Sequence, residues 1–160
     1  MAWTRVGVAD SPTVWCVVTL PIVRLDPELE LPRYAHPGDA GLDLLAREDG
    51  VVPPGCGRLL MPTGISVAIP VGYGGFVLPR SGLALQHGLT VANAPGLIDS
   101  AYRGEIKVIL MNTSPTQAYQ VHRGDRIAQL VIQRVEEVVW KVSETLAGLD
   151  RGGGFGHSGR

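Results

Sequence analysis

Glycine and proline set the first limit on this chain, with 21 Gly and 12 Pro among 160 residues. Relative to alanine, a glycine costs a helix interior about 1 kcal/mol and a proline about 3 kcal/mol. Long helices are therefore disfavoured, and short strands joined by tight turns are the natural class. The apolar pattern agrees. Ile65, Val67 and Ile69 alternate with Ser66 and Ala68, while Ile106, Val108 and Leu110 share one face of 105–112. Strands are predicted over 14–24, 42–45, 58–61, 65–69, 73–78, 89–92, 105–112, 117–121, 127–134 and 135–142. Residues 26–37 read as a Pro-punctuated loop and 51–57 as a Pro-Gly turn. One short helix is expected over 81–87, with Ser81 capping its first turn.

Length and charge narrow the function. A chain of 160 residues makes one domain that needs no covalent staples. The 14 basic and 15 acidic side chains produce no global field to attract nucleic acid, so any affinity for phosphate must be local. Cys16 and Cys56 lack metal-type spacing and read as reduced, small hydrophobes of a cytoplasmic protein. The apolar run 14–23 is broken by Pro21, is too short to span a bilayer and has no convincing cleavage site after it, so no membrane partner is expected. The predicted division is a poorly ordered tail over 1–13, a mostly β domain over 14–146 and a flexible arm over 147–160.

Candidate chemistry begins with G-L-I-D-S-A-Y-R-G-E at 96–105. Asp99 stands there between Ile98 and Tyr102, on a loop bounded by Gly96 and Gly104, where a partly desolvated carboxylate could take a proton from water or could merely cap its turn. Arg80, Ser81 and Gly82 in P-R-S-G open the predicted helix, a combination suited to holding a phosphate or to simple capping. Asp43 is an acid inside the short apolar strand 42–45 and needs a partner. Gln129, the polar exception of 127–134, can satisfy the sheet edge or donate to a ligand oxygen. The Arg-Gly-Asp triplet at 123–125 reads as a turn. The tail R-G-G-G-F-G-H-S-G-R contains a literal G-x-G-x-x-G, but no strand-to-helix turn surrounds it. It reads instead as a disordered C-terminus or as a flexible cationic arm able to stack Phe155 on a base and place Arg151 on phosphate.

Taken in order, A-H-P-G-D-A-G-L-D-L (35–44), P-R-S-G (79–82), the 96–105 stretch, R-G-D-R-I-A-Q (123–129) and the Gly-rich arm resemble the five motifs of the trimeric dUTPase family, across 17–159. That resemblance implies an all-β, jelly-roll-like β-barrel with one short helix, assembled as a homotrimer with shared active sites. It implies hydrolysis of dUTP to dUMP and pyrophosphate, with Asp99 as the base that activates water. Substrate contacts are implied for Arg80, Ser81, Gly82, Asn93, Gly96, Ile98, Tyr102, Gln129, Arg151, Phe155 and Gly156. Mg²⁺ is implied on the triphosphate without direct protein ligands, and Asp43 as support for its water shell. The arm departs from the family pattern R-G-x-G-G-F-G, because Arg151 and Phe155 are one residue closer together. A dCTP deaminase would share the barrel but would want a catalytic Glu in place of the Asp99 loop, and a binding module without turnover is the other alternative.

Overall fold

The structure, a computed structural model, describes residues 17–148. Its elements in order are β1 (Ile22–Arg24), β2 (Leu42–Leu45), β3 (Gly50–Val52), β4 (Gly57–Pro62), β5 (Ile65–Val67), β6 (Tyr73–Leu78), α1 (Ser81–His87), β7 (Leu89–Val91), β8 (Gly96–Ile98), β9 (Lys107–Asn112), β10 (Tyr119–Val121) and β11 (Arg126–Arg134). They form a four-stranded sheet in the order β2-β11-β6-β8, a three-stranded sheet β4-β9-β7 and two ribbons, β1-β5 and β10-β3. All these pairings are antiparallel and most join strands distant in sequence, as in a jelly-roll-like barrel. The alternation seen in the sequence decides which face is buried. Ile65 and Val67 of β5, and Val108 and Leu110 of β9, point into a core shared with Leu44 and Leu130. Asn112 is the polar plug of that core. Its amide donates to the Val52 and Gln117 carbonyls at 3.2 and 2.7 Å, and its carbonyl accepts the Ser114 N–H at 2.9 Å, so its burial leaves nothing unpaired.

Several expected elements differ. Of the predicted first strand, residues 14–16 lie outside the described residues and only Ile22–Arg24 pairs. The expected turn at 51–57 conceals β3, because Val51 and Val52 pair with Gln120 and Tyr119, a partner about 70 residues away that local turn signals cannot reveal. The stretch 135–142 forms no strand. Once Val135 has donated its N–H to the Gly72 carbonyl at 3.0 Å, the stretch pairs with no further strand among the described residues, and Trp140 and Val142 are 86% and 96% exposed. Cys56 is not a buried hydrophobe: it is exposed in a turn at φ +65°.

An ion-pair cluster ties the loop after β1 to two turns of the sheet. Asp26 accepts from Arg123 Nη2 at 3.0 Å and lies 3.6 Å from Arg47 Nε. Arg123 Nη1 also donates to the Arg47 carbonyl at 2.6 Å, so the arginine of the Arg-Gly-Asp triplet is engaged within the fold. The hydrogen bond from Arg123 holds the Asp26 carboxyl down, from the ordinary 3.8 to about 2. A depressed pKa means that the unfolded chain takes up the proton first as the medium becomes acid. The stability this pair contributes is therefore complete above pH 3.8 and is lost as pH falls from there towards about 2. A melting-temperature series across the acid range should show that slope in the wild type and a shallower one in Asp26→Asn.

Candidate active site

Three adjacent strands build a polar face from their register. Asp43 of β2 lies opposite Gln129 of β11, which lies opposite Leu78 of β6. Residues directly opposite share a face, so Asp43 and Gln129 point the same way, and Arg80, two residues beyond Leu78, follows them. Arg126 joins them through an irregularity. It pairs with Leu45 while Ala128 pairs with Leu44, which leaves Ile127 as an extra residue, a β-bulge. Without the bulge Arg126 and Gln129, three residues apart, would face opposite sides.

Asp43 is 4% exposed. Its Oδ1 lies 3.1 Å from Arg80 Nε and its Oδ2 3.5 Å from Arg126 Nη1. The first contact is off the N–H axis, an ion pair rather than a directed hydrogen bond, so Oδ1 and Nε keep unused hydrogen-bonding capacity. Arg80 Nη1 donates to the Arg126 carbonyl at 3.1 Å, which binds both arginines to one edge. Arg80 is the N-cap of α1 by its extended backbone, and Ser81 is the first helical residue. Ser81 therefore does not cap the helix as expected, and no side chain does. The first-turn N–H groups are left for another acceptor. At the other end Gly88, at φ +65°, returns its N–H to the helix. Beneath the helix Tyr119 lies with its ring 5.0 Å from that of His87, its phenol pushed up by burial and then by the charge of Asp125. Arg80, Ser81, Gly82 and Gln129 line one hollow of about 220 Å³.

The other candidate residues line a second hollow. Asn93, Gly96, Ile98, Asp99 and Tyr102 surround about 370 Å³, with Lys107 at its margin and Leu60, Val77 and Val91 in its wall. Gly75 lets β8 lie close to β6, since a Cβ there would stand 2.8 Å from Ile69 Cδ1 and 3.2 Å from the Ile98 Cβ. The 96–105 stretch is thus a strand followed by a turn, in which the Tyr102 N–H donates to the Asp99 carbonyl at 3.0 Å. Asp99 is exposed rather than partly desolvated within this chain.

The structure gives the two groups separate hollows: Asp99 and Tyr102 follow β8, which pairs with β6, whereas Arg80 follows the end of β6 at the start of α1, and the two linings share no residue. Arg151, Phe155 and Gly156 lie outside the described residues. Sequence reasoning missed Arg126 as a second partner of Asp43. Among the described residues no group of three or more His, Cys, Asp or Glu is placed to hold a metal ion, and no helix is long and apolar enough to cross a membrane.

A family model described as dUTPase matches residues 27–159. The chain belongs to the dUTPase family. The deoxyuridine 5'-triphosphate nucleotidohydrolase of Thermobifida fusca (strain YX) is 56% identical over 153 residues, 95% of this chain and 85% of that protein. That of Rhodococcus erythropolis is 52% identical over 143 residues, 89% of this chain and 87% of that protein. A Staphylococcus bacteriophage 80alpha dUTPase variant solved with dUpNHpp matches at a TM-score of 0.81 and 26% identity, over 89% of this chain and 99% of that one. A dUTPase variant from phage phi11 of S. aureus, whose structure describes the coordination of a structural Mg(II) ion, matches at 0.75 and 26% identity, over 82% and 100%. The fold is the jelly-roll-like β fold of dUTPases.

Asp43→Ala should leave two guanidinium groups facing each other without a counter-charge. Because Arg126 can turn towards water, the loss should fall near the low end for a broken buried pair, about 3 kcal/mol. A shift of the urea midpoint measures it, with Asp43→Asn expected to lose less.

Proposed function

We infer that this chain hydrolyses dUTP to dUMP and pyrophosphate by attack of water on the α-phosphorus, which limits uracil incorporation into DNA and supplies dUMP for dTMP synthesis. The observation that carries this reading is the grouping of Asn93, Gly96, Ile98, Asp99 and Tyr102 around one hollow. A pyrimidine held there by Asn93 and the backbone of β8 brings its sugar to Tyr102, which packs on the deoxyribose and leaves no room for a 2′-OH. Asp99, exposed beside it, takes the proton from water as the new P–O bond forms and pyrophosphate leaves. Arg80, Ser81, Gly82 and Gln129 hold the phosphates, with Arg80 kept in place by Asp43 while it donates to a phosphate oxygen.

Mg²⁺ on the triphosphate, when bound, neutralises phosphate charge. Both oxygens of Asp43 face arginines, and the unused capacity of Oδ1 suits it to accept from a metal-bound water rather than to ligate directly. In this reading residues 147–160 form the arm, with Phe155 stacking over the base, Gly156 beside the substrate and Arg151 on the distal phosphate. The exposed free thiol of Cys56 suits the reducing cytoplasm.

The chain works as a homotrimer whose active sites are shared. Two observations support this. The base-reading and phosphate-holding groups of one chain line two hollows that share no residue, as a site completed by a neighbouring chain requires. In addition, Val138, Val139, Trp140, Val142 and Leu146 lie open to water, as do Leu60 of β4 and Leu97 of β8. Apolar surface of that extent belongs against another chain.

Pyrophosphate release from dUTP, dCTP, dTTP and UTP, measured side by side in Mg²⁺, tests the substrate. Release should come from dUTP, and Asp99→Asn should lower kcat by about 10²-fold or more while nucleotide binding persists. Ammonia from dCTP, or release that ignores Asp99, would overturn the reading. Arg151→Ala should raise KM and lower kcat, and unchanged kinetics would remove Arg151 from the site. Light scattering should give three times the chain mass, whereas a fully active monomer would exclude shared sites.

A further inference from the structure

The turn that carries Asp99 and Tyr102 is fastened by groups to which the hydrolysis assigns no role. The Tyr102 hydroxyl donates to the Glu105 carbonyl at 2.9 Å. Its ring lies so close over Gly104 that a Cβ there would stand 2.5 Å from the phenol oxygen. The carboxylate of Glu105 turns the other way, into the protein, with its side chain 14% exposed. Its Oε1 accepts the Gly64 N–H at 2.9 Å and lies 3.3 Å from Arg47 Nη1, and its Oε2 is 4.0 Å from Lys107 Nζ. Arg47 is itself held by the Leu25 carbonyl at 3.1 Å and by Asp26. One residue thus offers its main-chain oxygen to the aromatic of the site and its side chain to an anchored arginine on the far side.

We propose that Glu105 and Arg47 are positioning residues for sugar selection: the anchored Glu105 carboxylate fixes the height of its own carbonyl, which holds the Tyr102 ring where a 2′-OH would have to fit. The proposal rests on the assignment of Tyr102 to the deoxyribose. A peptide unit pinned at both ends moves little, and the ring above it inherits that rigidity. Cutting the side-chain anchor lets residues 104–105 shift, and Tyr102 shifts with them. The consequence is a pocket that admits ribose more readily, not merely a less stable fold. A gain of ribose acceptance is something that loss of stability alone does not produce.

Steady-state kinetics with dUTP and with UTP, well below the melting temperature, test this in the full chain. The ratio of kcat/KM for dUTP over UTP should fall about tenfold in Glu105→Ala, the scale of one displaced contact. Arg47→Met should lower it by less. Glu105→Gln, which can still accept the Gly64 N–H, should recover part of it. Tyr102→Phe, which removes the hydroxyl, should lower the ratio by itself, and Glu105→Ala should then add nothing further. A Glu105→Ala protein with a lowered melting temperature and an unchanged ratio would overturn the proposal, as would full additivity with Tyr102→Phe. A wild type indifferent to the 2′-OH would instead remove the role of Tyr102, so the two failures are distinguishable.

Discussion

A carboxylate inside a sheet is costly, and the placement of Asp43 explains much around it. Taking an isolated charge of this kind out of water costs several kcal/mol, so Asp43 is tolerable only with a cation beside each oxygen. Those cations come from the end of β6 and the start of β11, and the requirement ties three strands together at one corner. In the proposed site the same arrangement orients Arg80, which the Asp43 carboxylate and the Arg126 carbonyl hold in place before a phosphate arrives. Stability and the proposed phosphate contact then draw on one arginine, and Asp43 is the group that positions it.

The two hollows of the chain share no residue and differ in chemistry: apolar walls and the Asn93 amide in one, Arg80, Gln129 and the start of a helix in the other. Charge links them from behind. The chain Arg123, Asp26, Arg47 and Glu105 runs from the turn before β11 to the loop after β8, so the backbone that carries Gln129 and the loop that carries Asp99 share one electrostatic brace.

Much of this was legible in the sequence. Period-two alternation marked β5 and β9, and the boundaries of β2, β6 and α1 matched expectation because Gly, Pro and polar residues flank them. Asp43, Arg80 and Gln129 could be singled out as polar exceptions, yet that they share one face depends on the alignment of β2, β11 and β6, which no local pattern encodes. Glu105 and Arg47 were invisible for the same reason, 58 residues apart and unremarkable in type. The strand expected over 135–142 failed in an informative way: its apolar pattern is real, but a strand is a property of a pair, and the described residues supply no partner. Ser81 looked like a cap, but it is the first helical residue, and the cap position falls one residue earlier, on Arg80, which pairs with Asp43.

The bulge at Ile127 gives β11 something like a reading frame. Before it, odd and even positions face one way; after it, they have exchanged roles, which is why Ile127 and Ala128 are both buried and why Arg126 and Gln129 both serve the same face. A conventional strand can lose or gain two residues and keep its inside and outside. Here one position acts as the shift between two frames, so length changes on either side of it are not equivalent: upstream they move the arginine, downstream they move the glutamine and the hydrophobic half of the strand. In a lineage of such chains, residue number between the Arg-Gly-Asp turn and Gln129 would drift far less readily than residue identity.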